Sequence, residues 1–195
     1  MTDRFIEAVK LAMHLHRDQV RKGNNVPYVS HLLRVTGLVL ELGADEDTVI
    51  AAMLHDAVED QGGLPTAQLI REQFGERVEC FVLGCSDSIT GTGQPKRPWR
   101  ERKEAMINAI KDLGPETRLI IACDKLDNLR SMVYEYPKSG QEFWKRFSGG
   151  REGTLWYYRR MIDALRNAGG CPLLDELEIT LKRLEQLIKE RENQP

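Results

Sequence analysis

Apolar residues recur every three to four positions along most of the 195-residue chain, and this spacing is the feature that most limits its fold. Such a period places the apolar side chains on one face of an α-helix. The pattern predicts helices over residues 5–20, 26–42, 45 or 47 to 61, 66–74, 76–89, 98–113, 116–133, 152–167 and 173–190. Strict alternation of apolar and polar residues, which is typical of a half-buried strand, is absent beyond a few positions. The predicted fold class is therefore all-α.

Two segments interrupt the helical pattern. Residues 90–97 are predicted to form a loop, with room for a small hairpin, and residues 136–150 to be irregular with one short helix. A chain of this length fits one domain. We expect residues 1–135 to form the core and residues 136–195 a C-terminal helical extension packed on it within a single structural domain.

Composition excludes several classes of function. The formal net charge of −2 gives the molecule as a whole no attraction to nucleic acid or to an acidic membrane. The chain has no apolar run of bilayer length, and its charged N-terminus differs from a signal peptide, so we expect a cytoplasmic protein. The cysteines form no CxxC pair and lie far from any histidine in sequence, which favours reduced thiols over a zinc finger.

The third predicted helix carries the sequence HDAVED at residues 55–60. His55 and Glu59 are four positions apart, as are Asp56 and Asp60, so on one helix they form a continuous polar edge. An isolated His-Asp doublet is compatible with a solvated helix face. It is also a suitable half-site for a divalent ion such as Mn²⁺, Zn²⁺ or Fe²⁺, and an ion would explain polar groups in an otherwise apolar helix.

Two further residues supply the rest of a metal site. His31 lies in the second predicted helix, and Asp124 follows the apolar run LIIAC at residues 119–123. A carboxylate in such a run is predicted to point inward, where it needs a cation. The candidate ligands of one divalent ion are therefore His31, His55, Asp56 and Asp124. Water would complete the shell.

Four ordered motifs now carry a resemblance to a known family. They are HRDQVRKG at 16–23, PYVSH at 27–31, HDAVED at 55–60 and DKLDNLR at 124–130. Their order resembles that of the HD-domain metal-dependent phosphohydrolases. Their flanks are similar to the hydrolase domain of the RelA/SpoT family and to the small alarmone hydrolases, over about residues 5–135.

The resemblance implies an activity and a cofactor. Members of that family hydrolyse the 3′-pyrophosphate of guanosine alarmones such as ppGpp, usually with manganese. By this resemblance the four candidate ligands hold the ion. Glu59 and Asp60, one turn beyond them, orient or deprotonate the attacking water and assist the leaving group.

The resemblance also implies nucleotide contacts. The residues that match them are Arg21, Lys22, Ser86, Lys125 and Asn128. His16 matches a family histidine that we expect to lie behind the metal ligands. Asp127 departs from the family, which has His or Tyr there, and the comparison predicts that this position lies beside the nucleotide.

Several alternatives remain open from the sequence. The substrate could be another nucleotide, such as (p)ppApp, NADPH or a nucleoside phosphate, or the chain could be an inert nucleotide sensor. The basic run Lys96, Arg97, Arg100, Arg102 and Lys103 either meets phosphates or forms a solvated helix face. The aromatic cluster at residues 143–158 is either a lid or a packing cluster. We expect a small-molecule partner rather than nucleic acid or membrane, and a monomer or a homodimer.

Overall fold

The computed structural model describes residues 1–23, 25–90 and 95–193. Within these ranges the chain forms α-helices α1 Asp3–Leu15, α2 Val29–Glu41, α3 Glu46–Leu54, α4 Ala57–Asp60, α5 Leu64–Phe74, α6 Glu76–Cys85, α7 Trp99–Ala109, α8 Pro115–Ser139, α9 Gly150–Asn167 and α10 Leu174–Glu192. Short 3-10 helices cover Ile110–Asp112 and Gly140–Arg146. The extended backbone of these ranges pairs in a single isolated bridge, between Val20 and Pro27. The all-α prediction is confirmed.

Helix starts follow local signals that the sequence carries. Thr2 caps α1, since its side chain accepts a hydrogen bond from the backbone N–H of Arg4. Asp45 caps α3 by accepting from the N–H of Thr48 at 2.9 Å. Helices α5 and α8 each have a proline in the first turn, where the missing N–H costs no helical hydrogen bond. These signals explain why several predicted boundaries lie within a few residues of the observed ones.

The long helix α8 lies at the centre of the molecule. It packs against α2, α3, α6, α9 and α10, so it joins the N-terminal and C-terminal parts of the chain. Ile120, Leu126 and Leu129 on this helix are fully buried. Burying a side chain of this size contributes about 1.5–3 kcal/mol. The polar residues between them are therefore held in fixed positions next to α2 and α3.

Helix α8 is longer than predicted. It continues past residue 133 to Ser139 and includes Pro137. Tyr136 is fully buried there, with its ring 6.1 Å from that of Phe143 and 5.6 Å from that of Trp144. Packing of these rings outweighs the helix-breaking tendency of proline. The proposed division at residue 135 stays a prediction, and that position lies inside α8.

Helix α1 is shorter than predicted, because it ends at Leu15 rather than near Val20. The N–H of Arg21 donates to the carbonyl of Val26, and the N–H of Tyr28 to that of Gln19, both at 2.9 Å. These bonds stabilise a turn instead of another helical turn. The predicted break at residues 23–25 includes residue 24, and the predicted hairpin at 90–97 includes residues 91–94; both lie partly outside the described residues.

The described helices also bear on the predicted absence of a membrane span. None of them combines enough length with enough apolar character to cross a bilayer.

Replacing Leu184 by alanine should show whether α10 unfolds together with the core. Leu184 is fully buried, and α10 packs on α8. We expect the free energy of unfolding to fall by about 2–5 kcal/mol in a single urea transition followed by circular dichroism. Ile179 on the same helix is 66% exposed, so Ile179→Ala should cost less than about 0.5 kcal/mol. A separate early transition confined to the C-terminal helices would contradict the single-domain proposal.

Candidate active site

The His-Asp doublet lies at a break between two helices. Helix α3 ends at Leu54 and α4 begins at Ala57, so His55 and Asp56 form the link. The prediction of one uninterrupted helical edge through this segment is wrong. His55 is 3% exposed, and its Nδ1 lies 2.8 Å from the carbonyl oxygen of Ala52. Because a carbonyl only accepts, Nδ1 carries a proton, and in the neutral ring Nε2 has the lone pair.

His31 and Asp124 meet the doublet from α2 and α8. His31 is 1% exposed, and its Nε2 lies 3.2 Å from Oδ1 of Asp124 and 3.5 Å from Oδ2 of Asp56. The Nε2 of His55 lies 3.0 Å from Oδ2 of Asp56 and 3.9 Å from Oδ1 of Asp124. The four predicted ligands therefore converge from three separate parts of the chain.

The arrangement fits a divalent metal ion. The Nε2 atoms of His31 and His55 are buried and have no hydrogen-bond partner among the described residues. Single donor atoms of His31, His55 and Asp56 all lie within 4.8 Å of one another, and Asp124 places an oxygen within 3.9 Å of both nitrogens. Unpaired buried nitrogens are costly, and a bound ion would satisfy them. Two imidazoles with carboxylates are a donor set that suits Mn²⁺, Fe²⁺ or Zn²⁺.

Electrostatics in the site favour positive charge at its centre. Burial works against a charged His31, but the adjacent carboxylates of Asp124, Asp127 and Asp56 raise its pKa to about 10. Burial also works against an ionised Asp56, yet His55 and His31 hold the pKa of that carboxyl well below its usual range. The carboxylates are therefore ionised, and a proton or a cation must balance them.

Neighbouring side chains fix the two carboxylates in place. Oδ1 of Asp124 accepts from Nδ2 of Asn128 at 2.5 Å, and its Oδ2 accepts from Nζ of Lys125 at 2.5 Å. The hydroxyl of Tyr28 donates to Oδ2 of Asp56 at 2.6 Å. Such contacts hold ligand oxygens in the orientation that an ion needs.

Glu59 and Asp60 lie on α4, directly after the doublet. Oε2 of Glu59 accepts from the backbone N–H of Asp87 at 3.2 Å, and its Oε1 lies 3.1 Å from Nζ of Lys96. Oδ2 of Asp60 accepts from Nε2 of Gln19 at 2.8 Å. Burial and nearby Asp87 raise the pKa of Glu59, while burial and Asp56 raise that of Asp60. A raised pKa makes an ionised carboxylate a stronger proton acceptor and favours its protonated form, and both properties suit acid–base catalysis.

A cavity of about 480 Å³ opens onto these groups. Its walls combine carboxylates, cations and aromatic rings. They include Asp56, Glu59, Asp60, Asp124, Arg21, Lys22, Lys96, Arg102, Lys103, Lys125, Asn128, Tyr157 and Tyr158. Cations beside a buried carboxylate cluster suit a phosphorylated molecule whose charged end reaches the cluster.

The family model described as HD domain matches residues 8–155. The chain belongs to the HD-domain family. Among its relatives, guanosine-3′,5′-bis(diphosphate) 3′-pyrophosphohydrolase MESH1 of Drosophila melanogaster is 31% identical over 180 residues, which cover 89% of this chain and 92% of that protein. MESH1 of Homo sapiens is also 31% identical, over 84% of this chain and 91% of the human protein.

Solved structures and larger bacterial relatives extend the HD-domain comparison. A metazoan ortholog of SpoT, described as hydrolyzing ppGpp, superimposes on this chain with a TM-score of 0.71 at 25% identity. The superposition covers 98% of this chain and 97% of the SpoT ortholog. The guanosine-3′,5′-bis(diphosphate) 3′-pyrophosphohydrolase of Aquifex aeolicus is 36% identical over 125 residues, 64% of this chain but 17% of that protein. The chain thus spans about a sixth of the length of that relative. Membership in the HD-domain family implies a divalent metal, in agreement with the ligand set described above.

Most of the predicted nucleotide contacts lie in the wall of the HD-domain cavity. Arg21, Lys22, Lys125 and Asn128 all line it, and Nη2 of Arg21 donates to Oδ1 of Asn128 at 2.9 Å. Ser86 does not line it, because its hydroxyl donates to the carbonyl of Val82, at 3.0 Å, in the last turn of α6. The contact role of Ser86 stays a prediction that this placement does not support.

The basic run after the loop divides between two environments. Lys96, Arg102 and Lys103 line the cavity. Arg102 and Lys103 both form ion pairs with Asp87, which the sequence did not single out as a site residue. Arg100 lies outside the wall, with its guanidinium over the ring of Trp156. Helix α7 packs against α9, and the spacing of the cations along α7 is the signal that separates Arg100 from Arg102 and Lys103.

The prediction that Asp127 lies beside the nucleotide is wrong. Asp127 is 2% exposed and does not line the cavity. Its Oδ2 lies 2.6 Å from Nδ1 of His31, and its Oδ1 accepts from Nε of Arg34 at 2.5 Å. Asp127 contacts His31 and Arg34, which both belong to α2, so its side chain faces α2 rather than the cavity. Tyr28, in the PYVSH motif, is the other supporting residue that the sequence did not single out.

His16 and the aromatic C-terminal segment surround the site. His16 is 1% exposed, its Nδ1 lies 2.6 Å from Oε1 of Gln19, and its ring stacks on Tyr28 with centroids 5.4 Å apart. This placement agrees with a position behind the ligands. Phe143 and Phe147 line the cavity, and Phe143 is 2% exposed. The aromatic cluster therefore packs against the core and also contributes to the cavity wall.

Proposed function

We propose that this chain hydrolyses the 3′-pyrophosphate of a guanosine alarmone of the ppGpp type, with Mn²⁺ as its metal. The observation that carries this proposal is a single cavity lined by Asp56 and Asp124 of the candidate ligand set, by two carboxylates of raised pKa and by a set of cations. The names and near-complete coverage of the MESH1 relatives support the choice of substrate.

The ligands would be His31, His55, Asp56 and Asp124. When bound, a divalent ion supplies Lewis acidity to a phosphoryl oxygen and makes a nearby water more acidic. Zn²⁺ and Fe²⁺ are alternatives to Mn²⁺, because the mixed nitrogen and oxygen donors suit all three. We propose that the protein acts as a monomer or as a homodimer.

In the proposed reaction, Glu59 and Asp60 of α4 transfer the protons. The carboxylate of Glu59 accepts a proton from the attacking water, while Lys96 and the N–H of Asp87 keep it in place. The water oxygen then bonds to the phosphorus next to the 3′-oxygen, and the bond between that phosphorus and the 3′-oxygen breaks. Asp60 would donate a proton to the departing 3′-oxygen, because burial and Asp56 raise its pKa and so favour its protonated form. The products are pyrophosphate and the 3′-hydroxyl nucleotide.

Cations of the wall position the substrate. Lys96, Lys103 and Lys125 carry positive charge into a cavity whose floor is acidic. Phosphate groups would otherwise be repelled by Glu59 and Asp124, so these lysines offset that repulsion. Arg21 offers a planar guanidinium that can form paired hydrogen bonds with phosphate or stack on a base.

A panel of nucleotides with added Mn²⁺ tests this proposal. It comprises guanosine and adenosine tetra- and pentaphosphates, NADPH, and nucleoside mono-, di- and triphosphates. We expect the highest kcat/KM for the guanosine alarmones, with pyrophosphate released in equal amount to the nucleotide product. A higher kcat/KM on NADPH or on an adenosine alarmone would reassign the substrate. Nucleotide binding by metal-loaded protein with no release from any member would indicate a sensor instead of an enzyme.

A further inference from the structure

A buried carboxylate lies directly behind one of the candidate metal ligands. Asp127 is 2% exposed, and its Oδ2 lies 2.6 Å from Nδ1 of His31, on the side of the ring away from the cavity. Since an ionised carboxylate only accepts hydrogen bonds, Nδ1 of His31 must carry the proton. When the ring is neutral, as a metal-binding histidine must be, Nε2 has the lone pair, and this atom faces Asp56 and Asp124.

Arg34 fixes that carboxylate from the protein surface. Its Nε lies 2.5 Å from Oδ1 of Asp127 and its Nη2 lies 3.1 Å from Oδ2, so the pair is bidentate. The Arg34 side chain is 48% exposed, whereas that of Asp127 is 3% exposed. Both Asp127 oxygens are therefore occupied, one by the guanidinium alone and the other by the guanidinium and His31. The fixed carboxylate holds Nδ1 of His31, so the ring keeps a single orientation with Nε2 toward Asp56 and Asp124.

We propose that Asp127, backed by Arg34, is a positioning residue that fixes His31 as a metal ligand. When Nδ1–H binds a charged acceptor, Nε2 becomes a stronger electron-pair donor to a metal ion than it would be with a neutral partner. The inference rests on the metal site of the proposed function, but it does not depend on which nucleotide the site hydrolyses.

A purely structural role for Asp127 makes a different prediction. Arg34 and Asp127 join α2 to α8, and an ion pair between two helices could serve only to hold them together. Loss of either partner would then lower the melting temperature by similar amounts and leave metal affinity unchanged. If Asp127 positions His31, removal of the carboxylate must weaken metal binding more than removal of Arg34 does.

Chelator competition on the Mn²⁺-loaded protein separates the two roles. We expect Asp127→Ala to raise the metal Kd by about 10- to 100-fold, the usual cost of losing a partner behind a metal-binding histidine. Asp127→Asn keeps an acceptor for Nδ1–H but loses the charge, so its loss should be smaller. Arg34→Gln leaves the acceptor in place and should keep the Kd within about threefold of wild type, despite a lower melting temperature.

Two further measurements keep the inference falsifiable. Arg77→Gln is the control for loss of an exposed ion pair, because Arg77 pairs with Asp45, whose side chain is 49% exposed. It should change neither the metal Kd nor the melting temperature. In the Zn²⁺-loaded protein, the Nδ1–H proton of His31 should give a protected NMR signal that Asp127→Ala removes. Wild-type metal affinity in both Asp127 variants, or a His31 ring without a proton on Nδ1, would overturn the inference. Failure of every nucleotide in the panel, with the Kd order intact, would overturn the proposed function alone.

Discussion

Asp124→Ala is expected to lose both the metal ion and hydrolysis. The variant removes the oxygen that lies 3.2 Å from Nε2 of His31 and 3.9 Å from Nε2 of His55. Because Asp124 is a proposed ligand and Asp127 is proposed only to support one, metal affinity should fall by more than the roughly 10- to 100-fold predicted for Asp127→Ala. A metal ion supplies several kcal/mol of transition-state stabilisation, so turnover should fall by at least about 10²-fold. Metal content by mass spectrometry and pyrophosphate release measure the two effects.

The variant also changes the surroundings of Lys125, so folding needs its own control. Asp124 accepts from Lys125 and Asn128, and its loss leaves a largely buried ammonium without its partner. Asp124→Asn preserves the size of the side chain and should fold while still losing most of the metal. Asp163→Ala removes an exposed carboxylate on α9 that pairs with Arg166, and it should behave as wild type. Full metal occupancy in folded Asp124→Asn would remove Asp124 from the ligand set.

Local sequence signals predicted most of the helices, and tertiary packing decided the exceptions. The apolar period and the glycine and proline breaks place the centres of α2, α3 and α5 to α10. The continuation of α8 to Ser139 depends on Tyr136 contacting Phe143 and Trp144, and no window of the sequence contains that contact. The early end of α1 depends on backbone pairing with the segment after the turn. Both errors come from interactions between residues that belong to different helices or turns.

In the candidate site, too, some features could be predicted from the sequence and others depend on tertiary packing. His31, His55, Asp56 and Asp124 were found by residue type and motif order, and the structure brings them together. The orientation of Asp127 was not found, because resemblance gives its position in a motif but not which face of α8 it occupies. The helix break at the doublet was also missed, since the apolar period continues through it. Residue identity thus predicted which side chains meet, whereas their supporting contacts depend on backbone geometry that the sequence does not show.

Glu59→Gln is expected to separate metal binding from catalysis. Glu59 contacts the N–H of Asp87 and Nζ of Lys96, but it is not one of the candidate ligands, so metal content should equal that of wild type. A glutamine of the same shape cannot accept the proton of the attacking water. We expect kcat to fall by about 10²–10⁴-fold, the usual contribution of a positioned general base. Glu76→Gln, at a side chain that is 76% exposed, is the matched control and should keep full activity.

The pH dependence of kcat tests the same assignment. Burial and the charge of Asp87 raise the pKa of Glu59, so its proton-accepting form is lost at a higher pH than for an exposed glutamate. The wild-type rate should therefore rise with pH through this raised pKa, and the residual rate of Glu59→Gln should lack that rise. A carboxyl whose pKa is raised in the folded state destabilises that state above its unfolded pKa, so the glutamine variant should melt no lower than wild type at neutral pH. Normal turnover in a metal-loaded, folded Glu59→Gln would exclude Glu59 as the base and leave Asp60 to accept the proton.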